Sequence, residues 1–145
     1  MLVIIHIFAA IVGLGPGFIM TFIVTKASSM TELRHAYFLR NRVHIFVMIG
    51  GVLLFVTGMG MGMMNPSLFK QGWYIISLIL FLMTLAAGPL VLKPISAPIK
   101  DILAGHKGEE IPSEYSKHAH RLFMCERVLN SIFLVIILLM ILKPF

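Results

Sequence analysis

Four stretches of the chain are apolar for about the length of a membrane crossing: residues 2–25, 43–64, 73–92 and 122–142. At 1.5 Å per residue, about 20 residues cover a hydrocarbon core of roughly 30 Å. None of the four alternates polar and apolar positions as a barrel strand would, and only helices and closed barrels satisfy the backbone in lipid. The pattern predicts an all-α fold, an integral membrane four-helix bundle, as a single transmembrane domain over residues 1–145.

The connections are uneven in charge. Residues 26–42 carry Lys26, Arg34, Arg40 and Arg42, and residues 93–121 carry Lys93, Lys100, Lys107, Lys117 and Arg121, whereas the second connection has only Lys70 and the tail only Lys143. The positive-inside rule then places both long connections in the cytoplasm and both termini outside. Ser29 and Glu32 stand at capping-box spacing, which predicts a cytoplasmic helix from about Met30 running into the second span. Pro112 suits a first helical turn leading into the fourth span, APIKDILAG reads as a short surface helix stopped by Gly105, and HKGEE reads as a turn. These short helical extensions make a small cytoplasmic cap.

Composition agrees with the hydropathy. Charged residues make up 12% of the chain, against about 25% in soluble domains. The net charge of +6 lies between apolar runs instead of on one face, so it reads as topology and gives no nucleic-acid surface. Cys125 is alone and reads as a buried, inert thiol. The first run lacks a basic leader and an A-x-A-like exit before Lys26, so it reads as a retained span. A faint repeat pairs Gly15-Pro16 with Gly88-Pro89, and Arg42-Val43 with Arg127-Val128, as a duplicated hairpin would.

Polar residues inside the spans carry the candidate chemistry. His6, Ala10, Gly13, Gly17 and Thr21 share one face of the first helix, and His44, Met48, Gly51, Phe55, Gly58 and Gly62 form a stripe on the second. Small, polar faces are how helices meet in lipid, so these two are expected to pack together. Pro16, between Gly15 and Gly17, removes a bond to the Val12 carbonyl, which predicts a mid-membrane kink or break, for packing or to free a carbonyl for a ligand.

Counting depth from the outer surface, Met59 and Met63 fall near His6. A histidine with a thioether is an axial pair for haem iron, and thioethers also suit Cu(I); the alternative is packing methionines and an interfacial histidine. At the inner end, His44 lies at the depth of Glu126, Arg127 and Asn130. That cluster reads either as an ion pair with a snorkelling Arg127 that stitches the bundle, or as a polar pocket, proton relay or anionic anchor. His118 and His120, two apart, make a poor metal pair, and no hydrolase triad or carboxylate pair assembles.

The His6 and Gly-rich segment, MTELRHAYFLRNRVHIFVMIGG, NPSLFKQGWY, and HKGEEIPSEY before a span ending ILKPF resemble a bacterial membrane family known as domain of unknown function 2269 (DUF2269). The resemblance covers essentially the whole chain and implies a four-helix, multi-pass protein of the plasma membrane in Bacillus-type bacteria. More distantly, a helix-one histidine before a Gly-containing segment is similar to the CopD copper-resistance and HemJ-type protoporphyrinogen oxidase proteins. That likeness implies a haem role for His6, while the HemJ-type lysine early in helix three has no counterpart before Lys93.

The functional expectation is haem b binding or membrane electron transfer, with His6 as iron ligand and Met59 and Met63 beside it; if the chain is an enzyme, it is a haem-linked oxidoreductase. The rival is a non-catalytic accessory or lipid-contacting protein, alone, as a homodimer or with a membrane-complex partner, whose polar residues are structural. A small-solute or metal transporter acting as an oligomer is the weaker alternative.

Overall fold

The computed structural model describes residues 1–145 and is built of helices and turns. Helix α1 is Leu2–Thr25, α2 is Met30–Met64, α3 is Gly72–Ala87, α4 is Lys93–Gly105 and α5 is Ser113–Leu142. A 3₁₀ turn, Pro66–Lys70, joins α2 to α3, and a π turn, Gly88–Leu92, joins α3 to α4 without a break. Four helical runs are long and apolar enough to cross a membrane, α3 and α4 together forming one of them, Gly72–Gly105. The fold is thus the all-α membrane bundle that the hydropathy predicts.

The helices outrun the bilayer. At 1.5 Å per residue the 35 residues of α2 reach about 52 Å, some 20 Å beyond the hydrocarbon core. The polar first turns of α2 and α5 therefore stand outside the lipid at one end of the bundle, where α4 packs across them. This cap end holds the larger hydrophobic core, Val24, Met30, Leu33, Ala36, Tyr37, Ile99, Tyr115, Ala119 and Leu122. Met30, Leu33, Ile99 and Leu122 are fully buried there. Water surrounds this end, so each such side chain contributes roughly 1.5–3 kcal/mol by burial.

The membrane half is held differently. Only 11–33% of each span's most apolar window is buried inside the protein, so most apolar side chains face lipid. Lipid tails are as apolar as leucine, and association there depends on close packing and polar bonds. The closest approach is at Gly13 of α1 and Gly50 of α2: a Cβ on Gly13 would lie 2.8 Å from the Gly50 Cα, and one on Gly50 would overlap the Gly13 backbone. Only glycine at both positions permits that crossing.

Loops sew the cap together. Ser29 accepts from the Glu32 N–H at 3.3 Å, but the Glu32 carboxylate reaches past it to the N–H and hydroxyl of Ser28, each at 2.8 Å. These contacts hold the Glu32 carboxyl below the usual carboxylate range. The HKGEE segment closes on the same helix start: Glu109 accepts from the Met30 N–H at 3.0 Å and from the Thr31 hydroxyl at 2.8 Å. Arg34 donates to the carbonyls of Leu103 and His106 at the end of α4. Pro112 is the cap residue before α5, one position earlier than the sequence suggests, because its extended ψ of 146° precedes the first helical turn.

At Pro16 the helical assignment of α1 is continuous, with Gly13 packed on Gly50 and Gly17 beside Asn130. Pro89 instead sits in the π turn, where the Lys93 N–H reaches back five residues to the Gly88 carbonyl. The two Gly-Pro pairs of the faint repeat are therefore locally unlike. The surface helix expected from APIKDILAG starts earlier, at Lys93, as a continuation of the third span, and ends at Gly105.

Candidate functional site

The shared face of α1 places its polar residues against two different helices. His6 Nδ1 lies 2.7 Å from Thr57 Oγ1 on α2, and Gly13 meets Gly50 on the same helix. Further along, the Gly17 carbonyl accepts from Asn130 Nδ2 at 3.4 Å, and the Thr21 hydroxyl donates to Glu126 Oε2 at 2.6 Å, both on α5. The face predicted from spacing is a packing face, and its second half also bonds to α5. Gly15 lies off it, and a Cβ there would meet nothing within 4 Å.

Glu126 is the buried charge of the bundle, 6% exposed. Its partner is Arg40, whose guanidinium donates to Oε1. That pairing corrects the expected cluster of His44, Glu126, Arg127 and Asn130. Arg127 is one residue, or about 100°, around α5 from Glu126, and its side chain is exposed; His44 is likewise exposed on α2. Arg40, one turn before His44, points into the seam between cap and membrane halves, with its guanidinium 5.7 Å from the centre of the Tyr37 ring. The Tyr37 and Tyr115 hydroxyls are 3.2 Å apart beside it. Arg40 Nε has no protein partner, and neither does Ser77 Oγ on α3.

This arrangement is a buried carboxylate held by a hydroxyl and a guanidinium from two other helices. It ties α1, α2 and α5 together where the solvent changes from lipid to water. Sequence reasoning missed Arg40 because it lies outside the apolar run and counts there as a topological charge. The signal that could have found it was its spacing, i and i+3 from Tyr37, on the buried side of the extended helix.

The outer site is likewise rearranged. Thr57 donates its own hydrogen to the Leu53 carbonyl at 2.6 Å, so its oxygen accepts from His6, which assigns the proton to Nδ1. Nε2 then carries the free lone pair. Beside the ring lies Gly58, where a Cβ would stand 3.6 Å from His6 Cε1. Met59 is two residues, about 200°, around the helix from Thr57, and Met63 is 74% exposed. The expected His6, Met59 and Met63 grouping is therefore replaced by His6, Thr57 and Gly58. The neighbours given to His6 are thus a hydroxyl and a glycine in place of the thioether of a His and Met pair.

Elsewhere in the outer half, Tyr74 of α3 donates to the Gly58 carbonyl at 2.8 Å, and its hydroxyl and the Phe69 ring fill the space beside Gly62. No three His, Cys, Asp or Glu side chains converge as a metal site would require. Cys125 is half-buried, not buried.

No curated protein and no solved structure matches the chain. The likeness to CopD and HemJ types thus rests on His6 and its Gly-rich segment alone. A family model described as a predicted integral membrane protein matches residues 1–144, and the chain accordingly belongs to the DUF2269 family.

Proposed function

We propose that this protein is a non-catalytic accessory protein of the bacterial plasma membrane, with its cap in the cytoplasm and both termini outside. The observation that carries this reading is that most buried polar side chains of the bundle are engaged in bonds between helices. His6, Tyr74, Thr21, Arg40, Glu126 and Asn130 each bond across to a different helix. Groups spent on interhelical bonds make a rigid, lipid-facing frame, suited to supporting a membrane-complex partner or a second copy of the chain. The orientation rests on the basic residues of the two long connections.

A second reading is favoured by one specific feature. A metal-ligating histidine characteristically donates its other ring N–H to a fixed acceptor, and His6 donates from Nδ1 to Thr57 with Nε2 left as acceptor. His6 would then be the residue that holds haem b, through Nε2. Haem would supply one-electron transfer.

The deciding experiment is an oxidised and dithionite-reduced absorption spectrum of protein purified from haem-replete cells, beside His6→Ala. The accessory reading expects featureless spectra from both. Sharp reduced bands lost in the variant would overturn it in favour of haem ligation.

A further inference from the structure

We infer that the groove between α4 and α5, at the membrane boundary of the cap, is a binding site for one anionic phospholipid of the adjacent leaflet. The groove has a volume of about 350 Å³ and is lined by Leu90, Val91, Pro94 and Pro98 on one wall and by His118 and Arg121 on the other. It lies at the opposite end of the bundle from His6, so it is independent of which reading of that residue holds.

Its chemistry changes along its length in the sense a phospholipid requires. Leu90 and Val91 end the third apolar run and are exposed, Leu90 to 74%, so an acyl chain can lie against them within the hydrocarbon. Arg121 immediately precedes the fourth apolar run, with its guanidinium at headgroup depth, and His118 stands one turn further out on the same side of α5. Arginine presents a planar fork of donors that matches phosphate oxygens, and the imidazole adds another nitrogen beside it.

A separate cleft further toward the cap's tip is lined by Asp101 and Glu114 with Gly105, His106 and Pro112. In the orientation proposed above the leaflet is the cytoplasmic one, whose anionic lipids attract juxtamembrane basic residues.

The test uses the full chain in detergent micelles, titrated with phosphatidylglycerol or with phosphatidylcholine of the same acyl chains, bound lipid being counted by native mass spectrometry. Phosphatidylglycerol is expected to fill one site ahead of phosphatidylcholine. Arg121→Gln is expected to weaken that site about fivefold, the worth of one juxtamembrane basic residue. Arg42→Gln, at similar depth on α2 but outside the groove, is expected to leave it unchanged. Equal weakening by the two variants would reduce the effect to diffuse surface attraction and overturn the site. So would equal binding of the two lipids, or displacement by soluble glycerophosphate.

A second measurement does not depend on Arg121. With Leu90→Trp, bromine-labelled acyl chains on phosphatidylglycerol should quench the new fluorescence more than the same chains on phosphatidylcholine, after subtracting the Trp73 signal of the unaltered chain. Equal quenching would overturn the proposal.

Discussion

Removing Glu126 should cost far more than removing any polar group outside its ion pair with Arg40. In Glu126→Ala, Arg40 loses its counter-ion while staying buried, since the two side chains are 11% and 7% exposed and the guanidinium Nε already lacks a partner. Thr21 loses its acceptor as well. Breaking one side of a buried ion pair costs about 3–5 kcal/mol, mostly as the charge left behind. A neutral interhelical hydrogen bond in a membrane protein is worth only about 0.6 kcal/mol, so the ionic contribution dominates.

The same reasoning fixes the double variant. Arg40→Met with Glu126→Leu removes both charges and keeps the volume, and should lie within about 1 kcal/mol of the unaltered chain. The coupling energy between the two positions is then at least about 2–3 kcal/mol, while Arg127→Ala, an exposed truncation, should cost no more than about 0.5 kcal/mol and show no coupling to Glu126. Reversible unfolding in mixed micelles, read by helical circular dichroism, gives all the values needed. Additive losses at Arg40 and Glu126, or coupling of Glu126 to Arg127 in place of Arg40, would refute the assignment.

Gly50→Ala should destabilise the bundle by about 1–3 kcal/mol in the same unfolding assay, because its methyl group meets backbone and not a movable side chain; Gly15→Ala, facing open space, should change stability by no more than about 1 kcal/mol in the stabilising direction. Thr57→Val should cost about 0.6 kcal/mol and free the His6 ring, seen as a shift of its imidazole proton resonances. The first turn of α2 should loosen in acid: Glu32 lies below its ordinary value when folded, so its contribution is fully present above the usual carboxylate pKa and disappears as pH falls through the lower, folded one. Hydrogen exchange at Glu32 and Leu33, after correction for the intrinsic rate, should rise across that window, and Glu32→Gln should abolish the pH dependence.

Hydropathy and charge are read one residue at a time against a slab of known thickness, and that is why the chain alone determined four crossings, an all-α bundle and the position of the cap. The Ser29 cap and the end of α4 at Gly105 are equally local, being settled by the residues next to them. Spacing also identified the packing face of α1, because small and polar positions recur on it at helical intervals.

Partners were another matter. Lipid and protein interior are both apolar, so an apolar sequence does not distinguish the face that meets lipid from the face that meets another helix. Depth counting put His44 and Arg127 at the level of Glu126, and Met59 and Met63 at that of His6, but the rotation of each helix turned those side chains elsewhere. Only the tertiary structure decided that Arg40 answers Glu126, that Thr57 answers His6, and that Gly17 and Thr21 of α1 bond to α5. Those choices follow from the Gly13–Gly50 approach and from the water-driven core of the cap, which fix the helices' rotations together.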